Sequence, residues 1–144
     1  MNAAIKAGVA YFGAVFLVGF MLGAIRVFGL VPRLGEILSV LLETPVILTV
    51  SWFVSGWTIQ EFRVSSAASR RLLMGVVAFA LLMLAEMGVS VFAFGRPIED
   101  HLAAYRSSPG LIGLVAQIAF ALFPLMQRNH RSSFRLSIRP RSDF

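Results

Sequence analysis

The sequence predicts an all-α fold, an integral membrane four-helix bundle, and three observations lead to this prediction. Four long apolar runs account for most of the 144 residues. Hydrophobic residues make up 58% of the chain, with a mean hydropathy of +0.81, whereas soluble domains contain roughly 45–50% apolar residues. Charged residues make up 14% and fall mostly between the runs. The runs cover residues 5–30, 37–59, 72–94 and 111–126.

Run one is long enough to cross a membrane, because a helix needs roughly 20 apolar residues to span about 30 Å of hydrocarbon. It starts weakly positive at Lys6. Its apolar stretch far exceeds the roughly 7–15 residues of a signal-peptide core, so we expect an uncleaved first span. Gly19 and Gly23 form a G-x-x-x-G pair, which predicts a close-packing face within the monomer. Arg26 lies one turn before the end of the run, where its side chain turns inward or reaches outward to the interface.

Run two combines two acidic residues with a helix breaker. Glu36 and Glu43 are seven residues apart, a spacing that places them on one face of a helix. Pro45 cannot donate a backbone hydrogen bond, and it leaves the Leu41 carbonyl without its usual partner. A carboxylate two residues before such a proline concentrates unsatisfied polarity at one level of the helix. Neighbouring groups must therefore supply hydrogen bonds there.

Runs three and four each carry one polar side chain among apolar residues, Glu86 in run three and Gln117 in run four. An ionised carboxylate is costly in hydrocarbon, so such residues are expected to face a partner, a cavity or a proton path. Run four has only 16 residues, and it reaches span length by including residues 107–110 or Gln127. Three spans with a half-inserted fourth segment are the alternative.

The polar residues within the runs are predicted to lie at one depth. A rise of 1.5 Å per residue places Glu43, Glu86 and Gln117 about 10, 12 and 9 Å from the same end of their helices. In one interpretation, Arg26 and Gln117 neutralise the glutamates and fix helix register. In the other, the layer binds a cation or proton, because two carboxylates at close range do not both ionise easily. The candidate binding residues are Glu43, Glu86, Arg26, Glu36 and Gln117, with Pro45 as the helix break.

The distribution of charge sets the predicted orientation. With four spans both termini lie on one side, and nine of the 13 Lys and Arg residues fall on that side. Since cytoplasmic segments carry the Lys and Arg excess, both termini are predicted to be cytoplasmic. Residues 1–127 then form the transmembrane domain, and residues 128–144 form a basic cytoplasmic tail that binds anionic lipid. The arginines flank spans, so the pI near 11.3 does not indicate nucleic-acid binding.

The composition excludes several kinds of site. The chain has no Cys, which rules out disulfides and thiolate metal sites. The two histidines, His101 and His130, fall in polar connections, so an intramembrane bis-histidyl haem or a histidine metal cluster is excluded. The serine–histidine and paired-aspartate patterns of intramembrane enzymes are missing. We therefore predict a protein that is not an enzyme and has no metal or cofactor.

The block from Gly23 to Trp52 resembles a pattern found in small four-span bacterial inner-membrane proteins without an assigned activity. The resemblance implies a fold and a location, a multi-pass protein of the bacterial cytoplasmic membrane, and no substrate. Small multidrug-resistance exporters differ at their deciding residue, because their key Glu lies in the first span and this first span has no acid. Fluoride channels share a Gly-Ala and Arg pattern, but their filter segments have no counterpart here. The matching positions are Arg26, Pro32, Gly35, Glu36, Glu43, Pro45, Ser51 and Trp52.

Two functions follow as hypotheses. The first is binding or passage of a small solute, ion or proton at the layer that contains Glu43 and Glu86. The second is a non-catalytic accessory or assembly subunit that packs against a larger membrane complex. A chain of this size has little room for an internal pore, so a homo-oligomer would more readily form one between protomers. A cavity open to the outside at the glutamates favours the first hypothesis, and glutamates sealed by Arg26 and Gln117 favour the second.

Overall fold

The computed structural model describes residues 2–127, and every regular element in this part of the chain is helical. Four continuous helical stretches are long and apolar enough to cross a membrane, at residues 3–34, 36–61, 68–93 and 108–126. The elements are α1 (Ala3–Ile25), a π-helical segment (Arg26–Leu30), α2 (Val31–Leu34), α3 (Glu36–Glu61), α4 (Ala68–Gly88), a second π-helical segment (Val89–Ala93), α5 (Ile98–Ala104) and α6 (Ser108–Met126).

The all-α class and the four helices of spanning length are thereby confirmed. The fourth reaches this length as the sequence predicts, because α6 begins at Ser108, ahead of the apolar run. The predicted basic tail, residues 128–144, lies outside the described residues.

Capping side chains and glycines set the ends of the helices. The Asn2 side chain accepts a hydrogen bond from the Ala4 backbone N–H at 3.0 Å, and the Ser107 hydroxyl accepts one from the Gly110 N–H at 3.2 Å. Both contacts satisfy an N–H group that the first turn of a helix leaves free. Gly35 has a φ of +80°, which other residues rarely adopt. This conformation separates α2 from α3, so the chain reverses there and α3 runs antiparallel to α1.

The four long helices form a ring in the order α1, α3, α6, α4. α1 packs against α3 and α4, and α6 packs against the same two helices. The helices that follow one another in the chain, α3 and α4, therefore lie diagonally across the ring. The start of α1, the end of α6 and the connection between α3 and α4 share one end, which we name the terminal end. The opposite end, where α5 lies, is named the distal end.

The core lies in the terminal half of the bundle. Tyr11 and Phe120 stack across the diagonal between α1 and α6, with ring centroids 4.3 Å apart, and Met74 and Ala78 of α4 are fully buried beside them. Large apolar side chains cover the outside of the bundle, and Phe53 of α3 is 71% exposed. An apolar exterior of this kind is expected when the surrounding solvent is hydrocarbon instead of water.

Candidate functional site

An ion pair joins α1 to α3 in the distal half. The Arg26 Nε atom lies 2.6 Å from Glu43 Oε2, and the two side chains are 27% and 17% exposed. Arg26 is the first residue of the π-helical segment that follows α1, and π turns are rare elements that recur at functional sites. Of the two orientations that the sequence allowed, the structure therefore shows the Arg26 side chain turned toward its neighbour helix.

A second polar contact joins α4 to α6. Gln117 Nε2 donates to both carboxylate oxygens of Glu86, at 2.7 Å each. The Tyr105 hydroxyl, directly after α5, approaches Glu86 Oε2 at 3.5 Å. All the hydrogen-bond partners of Glu86 among the described residues are thus neutral groups. This contrasts with Glu43, which faces a guanidinium.

The two contacts belong to one electrostatic layer. Each bridges a pair of antiparallel helices, on opposite sides of the ring, and Glu86 interacts electrostatically with both Arg26 and Glu43. Four of the five predicted residues are therefore brought together in the distal half. Within the described residues this layer holds one arginine against two glutamates, so it carries an uncompensated negative charge when both acids are ionised.

Three buried polar atoms in the layer lack a hydrogen-bond partner among the described residues. They are Arg26 Nε, Ser90 Oγ and Gln117 Oε1. The Arg26 N–H lies close to Glu43 without pointing along a hydrogen bond to it. Ser90 is only 7% exposed. Arg26 Nε already lies 2.6 Å from Glu43 Oε2 in the ion pair. Because buried polar groups are nearly always satisfied in native proteins, Ser90 Oγ and Gln117 Oε1 are the two atoms that indicate room for a further polar partner.

A serine lies one turn toward the distal end from each glutamate. Ser39 precedes Glu43 by four residues in α3, and Ser90 follows Glu86 by four residues in the oppositely directed chain. Both serines are buried, but only Ser39 has a partner, since its hydroxyl donates to the Gly35 carbonyl at 2.6 Å. Sequence reasoning missed Ser90, although the matching Ser-x-x-x-Glu and Glu-x-x-x-Ser spacings were a signal for it.

Glu36 does not join the layer. It shares a helix face with Glu43, but seven residues separate the two by about 10 Å along the axis. Glu36 lies exposed in the first turn of α3. There it lines a groove of about 540 Å³ whose other wall includes Ser108 and Pro109. Its side chain has no ion pair among the described residues.

The two intrahelical prolines have different surroundings. Pro45 lies inside α3 as predicted, and no side chain in the described part of the chain donates to the Leu41 carbonyl that it leaves free. Pro124 in α6 likewise deprives the Phe120 carbonyl of a backbone donor. There the Tyr11 hydroxyl donates to that carbonyl at 2.9 Å. Sequence reasoning missed Tyr11 as the partner of this carbonyl.

In the terminal half, the polar groups around the Gln127 side chain all have hydrogen-bond partners. The Gln127 side chain accepts a hydrogen bond from the Ser55 hydroxyl at 2.9 Å and donates to the Trp52 carbonyl at 2.8 Å. These bonds join α3 to the end of α6 and leave none of the three groups free. We therefore assign them to the packing of the bundle. The candidate site is confined to the distal layer.

The distal layer presents both charged and neutral oxygen atoms. Its carboxylates are oxygen ligands, and Ser90 and Gln117 add neutral oxygens. Among residues 2–127, no group of three His, Asp or Glu side chains is arranged to hold a metal ion. The layer therefore offers one carboxylate with neutral oxygens around it, and no cluster of charged ligands.

The chain has no match among known proteins in three comparisons: no family model, no curated protein and no solved structure matches it. The resemblance of residues 23–52 to small four-span bacterial membrane proteins stays a prediction. The functional inference therefore rests on the geometry of the distal layer.

Proposed function

We propose that this chain is a non-catalytic, multi-pass protein of the bacterial cytoplasmic membrane that binds a proton or small cation at Glu86 and passes it through the distal layer. Both termini are cytoplasmic in this proposal, as the Lys and Arg distribution predicts, and the distal end faces outside. The observation that carries the proposal is the set of partners of Glu86, which are neutral, while the nearby guanidinium is already paired with Glu43.

The charge balance makes Glu86 the binding group. Holding an ionised carboxylate in a low-dielectric interior costs several kcal/mol unless a counter-charge neutralises it. Arg26 neutralises Glu43 at 2.6 Å, and no second cationic side chain of the described residues contacts Glu86. A proton or a small cation supplies the missing positive charge. Because neither is covalently part of the layer, it can be exchanged.

The neutral oxygens beside Glu86 suit a small hard cation as well as a proton. Hard cations prefer oxygen ligands. The Ser90 hydroxyl and the Gln117 carbonyl oxygen are both buried without a hydrogen bond, and both residues lie near Glu86 in the fold. A bound cation or a water molecule beside a protonated Glu86 would satisfy these oxygens.

Reconstitution into liposomes tests the proposal. Purified protein in vesicles that contain a pH-sensitive dye is given an inward proton gradient, and the same vesicles are then tested for uptake of Na⁺, K⁺ and Li⁺. We expect gradient-driven uptake of the proton or one of these cations, and its loss in Glu86→Gln. Glu36→Gln is the matched control, since it removes an exposed carboxylate outside the layer, and it should retain uptake. Uptake that survives Glu86→Gln would contradict the proposal.

An accessory or assembly subunit is the second candidate, and one groove favours it. An apolar groove of about 330 Å³ runs between α3 and α6, with Leu48, Val115, Ala116 and Ala119 among its lining residues. Small residues at such a position allow a further helix to approach closely in lipid. Native mass spectrometry of the protein extracted from its membrane tests this candidate. A stoichiometric partner subunit would support it, and a single chain or a homo-oligomer with lipid alone would count against it.

A further inference from the structure

A chain of hydrogen-bonding side chains connects Glu86 to the distal surface. The Tyr105 hydroxyl lies 3.5 Å from Glu86 Oε2 and 3.4 Å from His101 Nε2. All three side chains are half-buried; Glu86 belongs to α4, whereas His101 belongs to α5 and Tyr105 directly follows it at the distal end of the bundle. The three groups therefore form a line from the layer to the end of the bundle.

The short helix α5 fixes this line. His101 lies inside α5 and Tyr105 directly follows its last residue, so the two are four residues apart and on one face. Their rings meet edge to face, with centroids 5.4 Å apart. Behind them, Gly110 lets the start of α6 pack directly against the Ala104 carbonyl. α5 is thus held against the bundle with its His and Tyr side chains beside Glu86.

We propose that His101 and Tyr105 are the proton relay between Glu86 and water at the distal end. This inference rests on the proposed function and names the proton as the exchanged species and the distal end as its entrance. In the relay, protonated His101 gives its Nε2 proton to the Tyr105 oxygen, and the Tyr105 hydroxyl proton passes to Glu86 Oε2. One proton enters at His101, one reaches Glu86, and Tyr105 is neutral before and after the transfer.

The chemistry of each group suits its role. Imidazole exchanges protons readily near neutral pH and serves as a proton shuttle in many proteins. Burial raises the pKa of Tyr105, and the negative charge of Glu86 raises it further, so the phenol keeps its proton and acts as a relay and not as a base. Met83 Sδ lies 3.8 Å from the same hydroxyl. It offers a second acceptor to which the hydroxyl can turn when Glu86 already holds a proton.

The charged residues near His101 in the chain are two acids and two arginines. Glu99 and Asp100 precede it in α5, and Arg96 and Arg106 flank the helix in the chain. Glu86 is the titratable group that faces the relay from α4. The π-helical segment that packs against α5 and the whole of α6 contain no charged residue. The two acids and the two arginines balance in charge, and Glu86 is the charged group that the relay itself contacts.

Proton uptake after a rapid acid jump outside the vesicles tests the relay, with the protein oriented distal end outward. Tyr105→Phe keeps the ring and removes the hydroxyl, and we expect it to slow uptake about tenfold or more, because a positioned proton-transfer group typically contributes a factor of roughly 100 or more. His101→Ala should slow uptake similarly, and imidazole in the external buffer should restore the rate. Glu36→Gln removes an exposed carboxylate outside the layer and is the control, and its rate should stay within about twofold of the wild type.

The outcomes separate the relay from the binding site. A wild-type rate in Tyr105→Phe, with uptake still lost in Glu86→Gln, would overturn the relay and leave the binding proposal intact. Failure of imidazole to rescue His101→Ala would assign the histidine a packing role and also overturn the relay. If Glu86→Gln retains uptake, both proposals fail together. Thermal unfolding of each variant in detergent shows whether a slow rate reflects a misfolded protein.

Discussion

The two halves of the bundle are built differently. In the terminal half, Tyr11, Met74 and Phe120 are fully buried, and the polar contacts there are satisfied within the chain. In the distal half, the buried side chains of the described residues include Ser39 and Ser90, and the buried Ser90 Oγ and Gln117 Oε1 atoms lack a hydrogen-bond partner among these residues. One half therefore has the character of a folding core, and the other has the character of a site.

The glycines show the same difference. A Cβ atom on Gly75, in the terminal half of α4, would overlap the carbonyl oxygen of Ala121 in α6. On Gly88, at the distal end of the same helix, a Cβ atom would meet no described atom of a neighbouring element within 4 Å. Gly23 is equally open, so only Gly19 of the predicted G-x-x-x-G pair faces another helix, at Ile47. Close contact between the long helices thus occurs at Gly75 in the terminal half, whereas at the distal end the close contact at Gly110 is with the short helix α5.

The largest expected effect on the free energy of unfolding comes from adding a side chain where two helices of the terminal half are in close contact. Gly75→Ala should lower the free energy of unfolding by about 3 kcal/mol or more, since overpacking costs roughly 1–3 kcal/mol where side chains can adjust and here the neighbour is backbone. Gly88→Ala should cost nothing measurable, because helix propensity favours Ala by up to about 1 kcal/mol. Unfolding by SDS titration in mixed micelles measures both. Equal losses in the two variants would show that the halves are packed alike.

An intermediate effect is expected from breaking the ion pair of the distal half. Arg26→Gln leaves the Glu43 carboxylate without its counter-charge and should cost about 2 kcal/mol, between the values for exposed and fully buried pairs. Adding Glu43→Gln should recover much of this loss. Arg33→Gln, at an exposed position of α2 without an ion pair among the described residues, is the control. The same titration applies, and an Arg26→Gln loss no larger than that of the control would place the pair among weak surface contacts.

The smallest expected effect distinguishes two tyrosine hydroxyls. Tyr11→Phe removes the donor to the Phe120 carbonyl that Pro124 leaves free, and should cost about 1 kcal/mol or somewhat more. Tyr105→Phe should cost less than about 0.5 kcal/mol, since its hydroxyl contacts are all 3.4 Å or longer. Thermal unfolding in detergent compares the two variants. A greater loss in Tyr105→Phe would mean that the distal half depends on its polar contacts for stability.

Much of the fold was predictable because length and apolar content alone decide whether a helix can span a membrane. The four helices, the extension of the fourth beyond its apolar run and the similar depth of Glu43, Glu86 and Gln117 all follow from counting residues along helix axes. Counting residues from each helix end predicts the depth of a side chain, but it does not predict which helices pack against each other. The diagonal placement of α3 and α4, which gives Glu43 and Glu86 separate partners, required the three-dimensional packing.

The rest of the site was hidden for specific reasons. Ser90 and Tyr105 were missed because their importance depends on contacts with other helices, which spacing within one helix does not show. Glu36 was included in the site because residues seven apart lie on the same face of a helix. They nevertheless lie about 10 Å apart along the helix axis, so Glu36 is not at the depth of Glu43. The Tyr11 hydroxyl bond was missed because a free carbonyl at a proline bend can be satisfied by any neighbour within reach.

The stacked rings of Tyr11 and Phe120 have a consequence for how an ion would travel. They meet on the axis of the ring of helices, between the distal layer and the cytoplasmic exit that the orientation predicts. A continuous water-filled conduit is therefore closed at that point, and under the proposed function a species released from Glu86 toward the cytoplasm would have to wait for the two aromatic rings to separate. Translocation would then proceed in discrete, temperature-sensitive turnovers, at rates typical of carriers and far below those of open pores.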